Sequence, residues 1–182
     1  MKTLIYTKGI TLFAFLFVLG IKGLKAQSNS IVVIDSRYST KQEVLENLPV
    51  GVPLVELNNT ENPWKKVRQY LEKNGTVSTI HLFANANYNS LEIGGIAYDS
   101  AKVDEELELS MLEGVYQGTN IQLLIYDCNL GSNTEGLALL KKIGDKAYFN
   151  IAVPTNCSSI FGADLEFDHT TMDQPISHSI FN

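Results

Sequence analysis

Five short apolar runs punctuate the chain: Ile31–Ile34, Pro53–Leu57, Val77–Phe83, Ile121–Tyr126 and Ala147–Val153. Most are rich in β-branched residues and show no polar alternation, the pattern of strands buried on both faces. Between them the apolar spacing turns helical. Val44, Leu45 and Leu48 mark a first helix. Trp64, Val67 and Leu71 share a face in a second, which Asn74-Gly75 stops. Val103, Leu107, Ser110-Met111 and Val115 predict a third, and Leu137, Leu140 and Ile143 a fourth that ends at Gly144.

Strands alternating with helices predict βαβ units and an α/β fold: a three-layer αβα sandwich around a mainly parallel sheet of five to six strands. Straight after the third strand, Leu91 to Tyr98 alternates apolar and polar around Gly94-Gly95, which predicts a small hairpin. Asp164 to Phe167 reads as a short edge strand. Residues 172–182 have no periodicity and are expected to be a loose tail, leaving 27–171 as one domain. In such sheets functional groups gather beyond the carboxyl ends of the strands. Here those positions are Asp35-Ser36-Arg37, Asn58-Asn59-Thr60, Ala84-Asn85-Ala86, Asp127-Cys128-Asn129 and Pro154 to Cys157.

The N-terminus has a different character. Lys2 and Lys8 precede an apolar stretch from Ile10 to Leu19, followed by Leu24-Lys25-Ala26-Gln27. This order reads as a secretory signal peptide over residues 1–26, cleaved near Ala26; an uncleaved anchor is the alternative. Secretion to the periplasm or beyond is the expected location, with no membrane span in the mature chain. Residues 1–26 hold four lysines and no acid, so their removal takes the formal net charge from −6 to −10. An acidic chain with no basic cluster is not expected to bind nucleic acid or anionic lipid. The two cysteines, Cys128 and Cys157, form no Cys-x-x-Cys motif. No metal or cofactor is expected, and nothing signals an obligate oligomer.

Several junctions together resemble a bacterial domain family of unknown function. Its members lie near the start of very large secreted or surface proteins, often ahead of calcium-binding or cadherin-like repeats. The family is related to the caspase, gingipain and legumain group of cysteine peptidases. The residues that carry the resemblance are Ile31-Val32-Val33-Ile34-Asp35-Ser36; Ile80 to Ala86 followed by Ser90-Leu91-Glu92-Ile93-Gly94; Leu124 to Leu130 with Glu135-Gly136; and Gly162 to Glu166. They span about Ile31 to Phe167. The resemblance implies a caspase-like fold. It places Cys128 at the nucleophile position, Asn85 where the related peptidases have histidine, and Ala86 where they have the glycine whose N–H helps bind an oxyanion.

These departures imply an inert site. An amide such as Asn85 cannot take and return a proton near neutral pH. Ala86 keeps its N–H, so part of an oxyanion site is expected to survive. Asp127 stands in place of a glycine, and a carboxylate beside a thiol disfavours the thiolate. Cys128 is open to three readings: nucleophile, small residue at a strand end, or half of a disulfide with Cys157, which lies just past the neighbouring strand. His81 reads as a core histidine, and Asp164, Glu166 and Asp168 as a solvated strand face rather than a cation site. The expected function is that of a non-catalytic pseudo-peptidase. Its strand-end residues Asn85, Asn87, Asp127 and Asn129 would bind a protein, a peptide or a cell-surface polymer. The alternatives are an active cysteine hydrolase using Cys128 with a base from elsewhere, and a purely structural relative of an adhesin head.

Overall fold

The computed structural model describes residues 29–116, 121–156, 160–161 and 165–181. The expected signal peptide and Cys157 lie outside the described residues. Nine strands and five helices are described: β1 Ser30–Asp35, α1 Lys41–Asn47, β2 Leu54–Leu57, α2 Pro63–Lys73, β3 Thr79–Phe83, β4 Asn85–Ala86, β5 Leu91–Ile93, β6 Ile96–Tyr98, α3 Ser100–Glu105, α4 Leu107–Tyr116, β7 Ile121–Ile125, α5 Thr134–Ala147, β8 Phe149–Val153 and β9 His169–Thr170. The main sheet has the order β2-β1-β3-β7-β8-β9; all its pairings are parallel except that of β8 with β9. A second, antiparallel sheet holds β4, β5 and β6. The strand order reverses between β1 and β3, so their carboxyl ends diverge into a crevice there.

Both faces of the main sheet are covered, which is why its strands carry apolar residues at successive positions. On one face Ile31, Val33, Ile80, Leu82, Leu123 and Ile151 pack under α2, α4 and α5. Local chemistry starts these helices: the Asn62 side chain accepts from the Lys65 N–H at 3.0 Å with Pro63 in the first turn, and Asn133 accepts from the Gly136 N–H at 2.8 Å. The hairpin forms at Gly94-Gly95, with φ of 58° and 82°, a region that glycine enters without a Cβ penalty.

The predicted third helix is two. Glu106 separates α3 from α4, and its buried carboxylate accepts from the Tyr98 hydroxyl at 2.9 Å, the Asn62 amide at 2.9 Å and the Glu108 N–H at 3.0 Å. The break rotates the following register. Leu109 and Leu112 are buried, while Leu107 and Met111 face outward.

The second face is covered differently. It carries Val32, Ile34, Phe83, Leu124, Tyr126 and Ala152, and α1 alone supplies only Val44 as a fully buried residue. The C-terminal segment completes the layer, so residues 172–181 are not loose. Gln122 donates to the Pro175 carbonyl at 2.7 Å and accepts from the Ser177 N–H at 2.8 Å. Tyr126 accepts from the Ile180 N–H at 2.7 Å, and Phe181 packs against Phe83 and Tyr126. These contacts are irregular along the chain, so they leave no periodic signature. The edge strand also differs from expectation. Leu165 and Phe167 anchor individually on this face, and the ladder with β8 forms at His169 and Thr170.

His81 lies within this second layer, buried, with Nδ1 2.9 Å from the Tyr126 hydroxyl. Burial lowers its pKa from 6.5 to about 4. A base whose folded pKa lies below its unfolded value contributes stability that is whole above about pH 6.5 and is lost as the pH falls toward about 4. The loss should reach roughly 3 kcal/mol. Urea unfolding at pH 7 and pH 4 should therefore show a smaller acid loss in His81→Gln than in the parent chain. Equal losses would show that His81 does not carry the acid sensitivity.

A candidate binding surface at the strand ends

Asp35 closes β1, Asn85 follows β3 by two residues and Asp127 follows β7 by two, and each of these polar side chains reaches across to a neighbouring loop. β1 ends at Asp35, whose carboxylate is buried. One oxygen accepts from the Gly94 N–H at 2.6 Å, the other from the Arg37 N–H at 2.8 Å, with the Arg37 Nε 3.5 Å away. Asp35 thereby ties β1 to the turn of the small sheet. Beyond β3, Asn85 opens β4, and its amide brackets the loop after β1. It donates to the Arg37 carbonyl at 3.1 Å and accepts from the Ser39 N–H at 3.3 Å. Both functions of the amide are engaged, and both partners are backbone groups.

The end of β7 closes the network. Tyr126 is fully buried and Asp127 follows it, half-buried. One Asp127 oxygen accepts from the Ala86 N–H at 3.2 Å; the other accepts from the Asn129 N–H at 2.7 Å. Asn129 in turn donates to the Ala86 carbonyl at 3.0 Å. Burial raises the Asp127 pKa, and the hydrogen bonds from Asn129 and Ala86 oppose that rise. The Asp127 charge also helps to raise the pKa of Tyr38, after burial of its ring. The Tyr38 hydroxyl is used locally, donating to the Tyr126 carbonyl at 3.3 Å.

Cys128 is half-buried and disulfide-bonded. No free cysteine is present among the described residues. The helix after it starts very close to its own approach loop: a Cβ on Gly136 would stand 2.3 Å from the Leu130 carbonyl oxygen, so only glycine fits there.

The structure thus brings Asn85, Ala86, Asp127 and Asn129 together. Asn87 lies on the rim, where its side chain accepts from the N–H groups of Asn89 and Ser90 at 3.0 and 2.9 Å. The histidines are placed elsewhere: His81 against Tyr126, His169 in β9 and His178 exposed in the terminal segment. Of the alternating acids, Asp168 accepts from Thr155 through its N–H at 2.7 Å and its hydroxyl, and Glu166 is exposed. Among the described residues no group of three or more His, Cys, Asp or Glu side chains is arranged to hold a metal ion. The sequence reading placed Asp35 at a strand end but gave neither it nor Gly94 a part in the site. The available signal was an acid closing an otherwise apolar strand, which must find donors once buried.

The architecture is that of a mixed α/β protein with a six-stranded, mostly parallel sheet between helices and a small antiparallel sheet at its carboxyl end. The chain belongs to the family described as Domain of unknown function (DUF4347), whose model matches residues 31–175. No curated protein and no solved structure matches it. No described helix is long and apolar enough to cross a membrane.

Removing the Asn85 bracket should loosen the loop after β1 without unfolding the sheet. Asn85→Ala is expected to cost about 1 kcal/mol and to accelerate hydrogen exchange at the Ser39 amide. Unchanged protection at Ser39 would show that the bracket does not hold this loop.

Proposed function

We propose that this chain is an exported, non-catalytic relative of the caspase-type cysteine peptidases, and that its strand-end loops form a rigid binding surface for a peptide, protein or surface polymer. The observation that carries the reading is the Asp127 carboxylate on the Ala86 N–H. Ala86 occupies the position whose N–H would stabilise an oxyanion. A fixed carboxylate on that donor opposes an incoming negative charge and already occupies the N–H that would receive it.

Two further observations support the same reading. Asn85, at the expected histidine position, has its amide committed to the backbone at Arg37 and Ser39. Cys128, at the expected nucleophile position, is disulfide-bonded, and attack on a carbonyl to form an acyl-enzyme thioester needs a thiolate. Cys157 is the chain's one other cysteine and is the proposed partner. A disulfide agrees with export to an oxidising compartment. N-terminal sequencing of exported material should begin at Gln27.

Alkylation tests the inert thiol. Incubated natively with iodoacetamide at neutral pH, Cys128 should stay unlabelled; both cysteines should label after denaturation with reductant. Rapid labelling of native Cys128 without reductant would overturn the proposal. Asn85→His alone should yield no hydrolysis of fluorogenic peptides, because the Ala86 donor and Cys128 remain engaged. Hydrolysis by that variant would restore the reading of an active hydrolase.

A further inference from the structure

A cavity of about 580 Å³ opens beside the strand-end cluster, between the turn after β4, the start of α3 and the first turns of α5. Its size falls within the range of small-ligand sites. Ala101, Ala138 and the buried Leu139 give it an apolar floor. Asp99 and Glu135 stand on its rim with the Asn89 side chain.

The charges on that rim are unequal. Among the described residues Lys142 is the one cation lining the cavity, and its three donors are already matched. Its Nζ lies 2.7 Å from Asp104 Oδ2, 2.8 Å from Ser100 Oγ and 3.1 Å from the Ser100 carbonyl oxygen. Glu135, by contrast, forms no hydrogen bond or ion pair with any described residue. It sits in the first turn of α5, where the helix dipole favours its charged form. Asp99 uses one oxygen to cap α3 through the Lys102 N–H at 2.7 Å, and its second oxygen accepts no hydrogen bond from a described residue. The cavity therefore offers two carboxylates above an aliphatic floor, with no free cation among the described residues that line it.

We infer that this cavity receives a basic side chain, lysine or arginine, from an extended peptide lying along the strand-end loops. The aliphatic stem would lie on Leu139 and Ala138, and the cationic head would meet Glu135 and Asp99. The net negative charge of the chain would draw such a ligand toward it. The assignment rests on the binding-module reading and names its ligand class. An anionic or purely apolar ligand does not fit: the first is repelled, and the second leaves Glu135 desolvated without a partner.

The test is an NMR titration of the mature chain with acetyl-Gly-Lys-Gly-amide, its norleucine counterpart and its glutamate counterpart. The lysine peptide should shift the amides of Asn89, Ser100 and Ala138 and saturate at millimolar concentration. The norleucine and glutamate peptides should not. Glu135→Gln should weaken lysine-peptide binding roughly threefold to fivefold, as expected for one partly exposed ion pair. Asp99→Asn, which keeps the helix cap, should weaken it less. Equal shifts with the norleucine peptide would overturn the charge assignment. Shifts confined to Asn87 and Asn129 would overturn the cavity while leaving the binding module standing. No shifts at about 20 mM of any peptide, a ceiling for meaningful affinity, would remove peptide recognition from both.

Discussion

Tyr126 is the residue on which both the second layer and the strand-end cluster depend. Its ring stacks on Phe83 with centroids 4.1 Å apart, and Phe167 meets it edge-on at 5.1 Å. Such pairs add about 0.5–1.5 kcal/mol each beyond the area they bury. Its hydroxyl joins His81 to the Ile180 N–H, fastening the terminal segment to the sheet. Its N–H bonds the Leu82 carbonyl at 3.0 Å, and its own carbonyl accepts from Tyr38. With the ring locked on one face and the backbone locked on both sides, the next residue has little freedom. Asp127 is therefore delivered to the Ala86 N–H by a residue that itself has no part in the site.

The second layer explains why that lock is needed. A parallel sheet must be covered on both faces, and α1 is too short to cover one alone. The C-terminal segment fills the gap with polar clamps at Gln122 and aromatic packing at Phe181. Aromatic residues suit this duty because a single ring covers a large area without requiring regular backbone around it. The cost is a buried histidine among them, which confines the layer's full stability to pH values where the imidazole is neutral.

The strands were legible because a strand buried on both faces needs an unbroken apolar run, and each such run survives in the sequence. The hairpin was legible because Gly94-Gly95 has few other uses between alternating residues. The break at Glu106 was not, since it depends on Tyr98 and Asn62, which reach Glu106 only after folding. The terminal segment was not, because side-chain clamps need no period. At the candidate site, the structure brings Asn85, Ala86, Asp127 and Asn129 together through partners that cannot be read along the chain. Asp127 was read as a neighbour of a thiol; its carboxylate is engaged on the segment after β3 instead, a contact fixed by the adjacency of β3 and β7 and invisible along the chain.

That contact also decides where a ligand can meet this surface. A half-buried carboxylate is costly unless donors reach it, and a half-buried N–H is costly unless an acceptor does. Asp127 and Ala86 answer each other's need, so the pair is stable with no ligand present. A ligand entering between the ends of β3 and β7 would have to break it and satisfy both groups at once. The groups at the perimeter carry no such penalty: Tyr88 is 61% exposed, and Arg37, Asn87 and Asn129 are exposed around it. On the proposed binding reading, recognition on this face would fall to the rim and its flanking cavity. The crevice serves as the rigid support that holds them in place.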